Sequence, residues 1–525
     1  MTTLTPRGPY SPEELERLYP KGLKLQLVQV FLRHGERTPV SSRFQNAGLS
    51  PFWPYCSVAK QMVEAAASKQ DLSSWDGFQW RRKIETFGDN DEARVASGPN
   101  GLIEGICQHG QLTDKGRETT YALGQRLRHL YVDQLGFMPK IKEDTEDMYL
   151  RATSITRALE SMQQAFWGMY PPNARTLDFP PPIIVARPVN EETLFPNESN
   201  CRRFRQLARL FADRAAVRWN DSEQMDYLNK VWSKYMPASS PKVAVDAHPR
   251  LSGIMDTINA TDAHGPATRL PSDFYDKKAR AILDRIAVEE WFAGYNESNE
   301  YRKLGIGALM GDVVDRMVST AVDGGWRSET SASGSNIPGT GKAIKFAMSG
   351  CHDTTLAAIL SSLGAFQNGS WPPFTSSIAV ELFSQAPNQS ADAGTMLEEF
   401  SNPAVSSKKG GVLSSIFGGK DTSVSQQLAP SATARAPLES FPDESRDSLR
   451  KHYVRIRYND QPVTIPGCAA KPENHLPGDE TFCTLDAFKS IVDKFTPKNW
   501  VAECMQNLGE GMHGPNDSER LPADS

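Results

Sequence analysis

The stretch LKLQLVQVFLRHGERTP, residues Leu23–Pro39, decides the fold class of this chain. Leucines alternate with polar residues up to Leu27, and residues Val28–Leu32 continue the alternation in the other phase. Apolar side chains therefore point to both faces, which is typical of a strand in the middle of a sheet that is covered by helices. This strand leads directly into Arg33–Pro39, and ligands of α/β sheets bind at the carboxyl ends of strands.

Two arginines, Arg33 and Arg37, flank His34 at the end of this predicted strand. Two like charges about 5 Å apart repel each other by roughly 3 kcal/mol at an effective dielectric constant of about 20. A dianionic phosphate would replace this repulsion by bidentate hydrogen bonds, and Gly35 would allow its close approach. A surface loop with salt-bridged arginines is the alternative. The full R-H-G-x-R-x-P pattern after a buried strand favours the phosphate site.

A second polar cluster, Ser349–Thr354, lies between a predicted strand, Ala343–Met348, and a predicted helix. The start of a helix offers free N–H groups and a partial positive charge. His352 can donate a hydrogen bond to a phosphate oxygen there. Asp353 is either the N-cap of the helix or a proton donor. Taken together with the first motif, the proton donor is favoured.

A third motif, RATSITR (Arg151–Arg157), places Arg157 in the first turn of a predicted helix, Ser154–Tyr170. Arg157 lies off the apolar stripe of that helix, and the helix dipole disfavours a cation in the first turn. Such a position suggests a bound anion that compensates for it. A solvent-facing arginine is the alternative.

The order of the predicted elements indicates an α/β protein. Strands alternate with helices in most of the chain, whereas residues 190–335 hold helical patterns with few strand signals. We therefore predict a three-layer α/β sandwich with a mostly parallel central sheet, formed by residues 20–190 and 340–515, and a mainly helical cap at 190–335. Residues 41–110 are predicted to be an insertion.

Residues 386–447 differ in composition from the rest of the chain, because they are rich in Ser, Ala, Gly, Pro and Lys. Such a segment cannot bury enough apolar surface to fold alone. We predict a disordered insertion between two strands, Ile378–Phe383 and Tyr453–Tyr458. The apolar Val412–Phe417 within it is interpreted as part of a flexible loop, with a docking segment as the alternative.

The composition of the 525-residue chain limits its partners. Lys and Arg number 58 against 63 Asp and Glu, giving a net charge of −5. No global positive field exists, so we expect no nucleic-acid partner. No apolar run approaches the roughly 18 residues of a membrane span, so we expect no stable membrane insertion. The first residues have no apolar core of a signal peptide, so we expect an intracellular, cytoplasmic protein. A mitochondrial or secreted protein whose gene model lacks an N-terminal exon is the alternative.

The chain resembles the histidine acid phosphatases, the branch of the histidine phosphatase superfamily that is marked by RHGxRxP and HD motifs. The resemblance extends beyond FLRHGERTP and SGCHDTT to LTDKGRETTYALGQRLRHLY, RATSITRALESM, ETLFPNESNC, WPPFTSSIAVELF and YVRIRYNDQPVTIPGC. The ETLFPN segment with its following cysteine looks particularly like the lysophosphatidic acid phosphatase subgroup.

This resemblance implies a role for each motif residue. His34 would be the nucleophile that forms a phosphohistidine. Asp353 would protonate the leaving alcohol and then help to activate water. The phosphate would be held by Arg33, Arg37, Arg157 and His352. The arginines would also help to keep His34 neutral, because nearby positive charge depresses the pKa of an imidazole. The resemblance implies neither a metal nor a cofactor.

The predicted function is therefore the hydrolysis of phosphate monoesters. A lysophosphatidic acid-selective phosphatase and a phytase-like inositol phosphate phosphatase are the alternatives within this class, since they share the motifs and differ in the cap. A phosphoglycerate-mutase-like transferase typically lacks the R-x-P after R-H-G. A non-catalytic phosphate-binding module would be expected to have lost His34 or Asp353, and both are present.

The seven cysteines include no C-x-x-C pair, which argues against a zinc ribbon or a thioredoxin motif. Cys468 and Cys483 resemble a pair that is bridged in secreted relatives. In a reducing cytosol we expect both to remain thiols.

Overall fold

The computed structural model describes residues 2–67, 81–96, 102–327, 342–366, 369–385 and 435–512. Its strands are β1 (Leu23–Arg33), β2 (Arg82–Phe87), β3 (Ala93–Ala96), β4 (Leu102–Ile103), β5 (Met148–Ala152), β6 (Ile184–Val185), β7 (Phe346–Cys351), β8 (Ser377–Gln385), β9 (His452–Tyr458), β10 (Gln461–Val463), β11 (His475–Leu476) and β12 (Asp479–Thr484). Its helices are α1 (Pro12–Leu18), α2 (Ser57–Ala67), α3 (Asp114–Arg128), α4 (Thr156–Met169), α5 (Arg202–Trp219), α6 (Glu223–Trp232), α7 (Leu251–Ala263), α8 (Lys277–Glu297), α9 (Asn299–Arg302), α10 (Ala308–Val322), α11 (Asp353–Ser362), α12 (Asp443–Arg450), α13 (Pro466–Ala469), α14 (Leu485–Asp493) and α15 (Trp500–Glu503). None of these helices has both the length and the hydropathy that crossing a membrane requires.

A large sheet forms the middle layer, with the strand order β11-β12-β9-β8-β1-β7-β5-β6. The strands β1, β7, β5 and β6 run parallel to one another. On the other side of β1, the strands β8, β9 and β12 continue the sheet in antiparallel pairing. The carboxyl ends of β1, β7 and β5 therefore lie at one edge of the sheet.

Helices cover both faces of β1. Leu27 and Phe31 belong to a core that is shared with α10 and α11. Val28 and Val30 belong to a second core, which α3 and α4 complete on the opposite face. This layering confirms the predicted α/β sandwich and explains why β1 is apolar in both phases.

The helices between the two halves of the sandwich divide between two cores. α6, α7 and α8 pack into a third core together with Phe44 and Trp53. α10 instead contributes Leu309 and Val313 to the core beneath the sheet. The end of the predicted cap range thus packs as part of the helical layer of the sandwich, and the domain boundaries themselves stay a prediction.

The prediction of a disordered insertion at 386–447 is wrong at its C-terminal end. Residues 386–434, which include Val412–Phe417, lie outside the described residues. Leu438 and Phe441 are buried in the main core, and α12 follows them directly. Two buried apolar side chains stabilise a segment whose average composition is polar.

The structure pairs six of the seven cysteines. The disulfides are Cys56–Cys107, Cys201–Cys504 and Cys468–Cys483, and Cys351 is free and buried. The expectation that the last pair remains as thiols is therefore wrong. The first disulfide joins two positions within the predicted insertion at 41–110, which contains α2 and the small sheet of β2, β3 and β4.

Candidate active site

The ends of β1 and β7 bring two of the sequence motifs side by side. The two strands pair in parallel up to Arg33 and Cys351, and the backbone N–H of His34 donates to the carbonyl of Cys351 over 3.2 Å. The ring centroids of His34 and His352 are 5.6 Å apart. The loop after β1 and the first turn of α11 therefore form one site at the edge of the sheet.

Gly35 is required by the close approach of this loop to α3. A Cβ atom on Gly35 would come within 3.0 Å of three backbone atoms of Gly116, which no side chain tolerates. The N–H of Gly35 donates to the hydroxyl of Ser161 on α4 over 3.1 Å. Backbone contacts to two helices thus fix the residue that follows His34.

One ring nitrogen of His34 forms a hydrogen bond with the backbone. Nδ1 lies 2.9 Å from the carbonyl oxygen of Gly35, and this oxygen only accepts hydrogen bonds. Nδ1 therefore carries the proton, and Nε2 keeps its lone pair. Burial, followed by the charges of Arg157 and Arg33, lowers the pKa of His34 well below its ordinary value. The imidazole is neutral, as a nucleophile must be.

Three guanidinium groups surround this imidazole. Arg33 forms an ion pair with Asp353, and Arg37 forms one with Asp256, each over 2.7 Å. Burial, and next the charge of Arg37, lowers the pKa of Arg157 to about 10. The Nε atoms of all three arginines are buried without a hydrogen-bond partner among the described residues. Buried donors without acceptors are costly, so this arrangement fits a bound anion.

Asp353 directs its carboxylate to the site. His352 is the N-cap of α11, and Asp353 is the first helical residue. Its Oδ2 accepts a hydrogen bond from Nε1 of Trp371 over 2.9 Å and pairs with Arg33, while Oδ1 accepts from the N–H of Thr354. Asp353 is therefore not the N-cap of α11, and its carboxylate lies within the site.

Charges around the pair His352 and Asp353 determine their protonation. Burial, and next the charge of Arg157, lowers the pKa of His352. Its Nε2 atom is 3.2 Å from the hydroxyl oxygen of Thr153. Burial alone would raise the pKa of Asp353, but the field of the neighbouring arginines, Arg33 foremost, outweighs it and lowers that pKa. In the free site Asp353 is therefore a carboxylate and His352 is neutral.

All six predicted site residues come together. A cavity of about 240 Å³ is lined by His34, Arg37, Arg157, His352 and Asp353. Arg33 joins them through its ion pair with Asp353. In the described part of the chain, no group of three or more His, Cys, Asp and Glu side chains has the arrangement of a metal site.

Sequence reasoning missed two residues of the site. Asp256, on α7, binds Arg37 and accepts from the N–H of Val40, yet no motif surrounds it. Trp371 holds Asp353 through its indole N–H. Its segment, WPPFTSSIAVELF, belongs to the family resemblance, but the resemblance implies no role for the tryptophan.

Comparison with known proteins identifies the family. The model of the histidine phosphatase superfamily (branch 2) matches residues 24–398. The chain belongs to this superfamily. This histidine phosphatase is 36% identical over 493 residues to a probable acid phosphatase of Schizosaccharomyces pombe, covering 93% of this chain and 95% of the relative. It is 26% identical over 373 residues to human lysophosphatidic acid phosphatase type 6, covering 69% of this chain and 74% of that protein.

A solved structure shares the fold of this histidine phosphatase. The phytase of Hafnia alvei in complex with tartrate superimposes with a TM-score of 0.51 at 14% identity, covering 92% of this chain and 99% of the phytase. Together with the family and the relatives named acid phosphatase, the preserved motifs make this protein a phosphatase that hydrolyses phosphate monoesters.

A wider cavity of about 750 Å³, which we call the funnel, adjoins the smaller one in this histidine phosphatase. The two cavities share Arg37, Trp291, Asp353 and Thr354. A phosphate held between the arginines therefore has two spaces beside it for the rest of the substrate.

Proposed function

We propose that this phosphatase transfers the phosphoryl group of its substrate to Nε2 of His34. The N–P bond forms as the bond from phosphorus to the alcohol oxygen breaks, and Asp353 gives its proton to that oxygen. Water then attacks the phosphorus as the N–P bond breaks, one proton of the water passes to the Asp353 carboxylate, and inorganic phosphate leaves with His34 restored. The observation that carries this proposal is the Nδ1 contact of His34 with Gly35, which leaves Nε2 free among the arginines.

The arginines and His352 are proposed to bind the phosphate oxygens. Charge on these oxygens in the transition state is stabilised by donors that are already in place. The free site holds Asp353 ionised, whereas a general acid needs a proton. A bound phosphate dianion would engage Arg33 and add negative charge nearby, which raises the pKa of Asp353. Substrate binding thus supplies the protonation state that catalysis requires.

Trapping of the phosphoenzyme tests this proposal. After reaction with a radiolabelled phosphate ester and a quench in alkali, we expect the label on the peptide that contains His34. The His34→Ala variant should lose both the label and nearly all turnover. His129→Ala, an exposed histidine outside both cavities, is the control and should keep both. Label on any other residue contradicts the assignment.

The funnel favours an alcohol with an apolar part, as in a lysophospholipid. Its arginines are already paired, because Asp256 binds Arg37 and lies 3.5 Å from Arg43, and Arg250 binds Glu290. Each further phosphate of a highly phosphorylated inositol would have to displace one of these carboxylates, whereas an apolar group would not. The relative named lysophosphatidic acid phosphatase supports the same choice. Faster hydrolysis of inositol hexakisphosphate than of a lysophosphatidate, in a direct comparison of kcat/KM, would contradict it.

The disulfides favour an oxidising compartment over the cytoplasm that was expected from the sequence. Three cysteine pairs in one chain are typical of secreted proteins and rare in a reducing cytosol. Peptide mapping of the protein purified from its own cells, with free thiols blocked first, should show the three linked pairs. Six alkylated cysteines in their place would show that it resides in a reducing compartment.

A further inference from the structure

The smaller cavity is lined by aromatic residues as well as by the phosphate-binding residues. We call the part lined by aromatic residues the aromatic pocket, and its rings are Phe195, Phe204, Trp291, Phe292, Tyr295 and Tyr301. They come from the loop before α5 and from α5, α8 and α9. Phosphate itself needs polar donors, so these rings call for another part of the ligand.

The rings hold one another in place. The centroids of Phe204 and Tyr301 are 4.7 Å apart, and those of Tyr295 and Tyr301 are 4.7 Å apart at an interplanar angle of 87°. Phe195 meets His352 edge-on at 5.8 Å. Such packing fixes the ring faces before a ligand arrives.

One carboxylate, that of Glu198, also lines this pocket. Among the described residues, no hydrogen bond or ion pair reaches its side chain. Burial raises the pKa of Glu198, and the charge of Glu198 in turn contributes to the raised pKa values of Tyr295 and Tyr301. The carboxylate thus lines the same cavity as these two rings and is partly dehydrated.

Three arginines, Arg250, Arg205 and Arg209, lie near enough to Glu198 for their charges to oppose the burial that raises its pKa, but none forms an ion pair with it in the described part of the chain. Arg250 forms an ion pair with Glu290, and Arg205 donates to the backbone carbonyls of Glu198 and Ser199. Among the described residues, the carboxylate of Glu198 therefore has no cation in direct contact, and these arginines act on it only from a distance.

We propose that the aromatic pocket binds an ammonium group of the substrate, so that the enzyme accepts phosphate monoesters of amino alcohols. Aromatic faces with a neighbouring carboxylate attract an ammonium ion, which is the basis of choline recognition by aromatic cages. An acyl chain or an aryl group would fill the space between the rings without an attractive interaction with the carboxylate. The inference rests on the proposed function, since the phosphate must first be held beside His34. The funnel stays available for the remainder of the alcohol.

A pair of substrates that differ only in charge tests this inference. Phosphocholine is compared with its neutral carbon isostere, in which a tert-butyl group replaces the trimethylammonium group. We expect kcat/KM to be about tenfold higher for phosphocholine. Glu198→Gln should remove most of this preference, because it keeps the shape and loses the charge. Glu191→Gln, an exposed glutamate in the same segment, is the control and should keep the preference.

The ratio of the two substrates separates the possible outcomes, since it cancels any general loss of activity. Equal kcat/KM values in the wild type, or an unchanged preference in Glu198→Gln, would overturn the inference. Hydrolysis of p-nitrophenyl phosphate without hydrolysis of either alkyl ester would also overturn it. If p-nitrophenyl phosphate is not hydrolysed either, it is the proposed function that fails.

Discussion

Nη2 of Arg33 lies 2.7 Å from Oδ2 of Asp353, which joins the last residue of β1 to the first residue of α11. Arg33 is a proposed hydrogen-bond donor to the phosphate, and Asp353 is the proposed general acid. In the free site the two charges neutralise each other. In the proposed mechanism, a phosphate that binds Arg33 brings negative charge next to this ion pair, which couples the binding of substrate to the protonation of the acid.

Asp353→Asn should slow esters of poor leaving groups much more than p-nitrophenyl phosphate. An aliphatic alkoxide needs a proton in order to leave, whereas a nitrophenolate does not, and general acid catalysis contributes about 10²–10⁴-fold. The ratio of kcat for an alkyl phosphate to kcat for p-nitrophenyl phosphate measures this. Asp443→Asn, at the exposed first position of α12, is the control. Equal slowing of both substrates would assign Asp353 to positioning instead.

Gly35→Ala should lower both stability and turnover. The added methyl group meets the backbone of Gly116, so that α3 or the loop carrying His34 must move. Overpacking of this kind typically costs about 1–3 kcal/mol. Denaturant unfolding and kcat for p-nitrophenyl phosphate check the two effects. Gly8→Ala, whose added Cβ has open space, should change neither.

Stability should fall in acid because of a buried carboxylate, Glu381. Burial raises its pKa, but Arg455 and Arg457 with hydrogen bonds from Tyr19 and Tyr131 outweigh burial and lower it to about 2, from 4.5 for a free glutamate. The folded pKa lies below the unfolded one, so this stabilisation is present above pH 4.5 and is lost as the pH falls towards 2.

Glu381→Gln tests this pH dependence. Removing the charge leaves two buried arginines uncompensated, so the variant should lose about 3–5 kcal/mol near neutral pH. Its stability should also fall less steeply than that of the wild type between pH 4.5 and 2. Urea unfolding at several pH values measures both. Glu480→Gln, an exposed glutamate on β12, should follow the wild-type curve.

Phe441→Ala should destabilise the protein, although the sequence placed it in a disordered segment. The side chain is 9% exposed and packs into the main core. Its truncation should cost about 3–5 kcal/mol in denaturant unfolding. Phe87, which is 78% exposed, offers the matched control, and Phe87→Ala should change stability little. If Phe441→Ala lowers the free energy of unfolding as little as Phe87→Ala does, the prediction of disorder would hold for the C-terminal end of 386–447 as well.

Features that depend on neighbouring residues could be predicted from the amino-acid sequence. β1 was predictable because an alternation of apolar residues in both phases has one structural explanation. The RHGERTP and HD motifs were predictable as parts of one site, because each follows a strand and strand ends meet at a sheet edge. Arg157 was identified by its unfavourable place in a helix, which is also a local property.

Contacts between distant segments became visible in the folded protein alone. Asp256 and Trp371 reach the site from α7 and from the loop before β8, and no local pattern distinguishes them from other residues of their type. The aromatic pocket forms where α5, α8 and α9 pack together, and in the sequence its rings cannot be told from core residues. The cysteine pairs likewise join positions as far as 303 residues apart. Such contacts result from the burial of apolar surface by the whole chain, which has no signature in any short stretch of sequence.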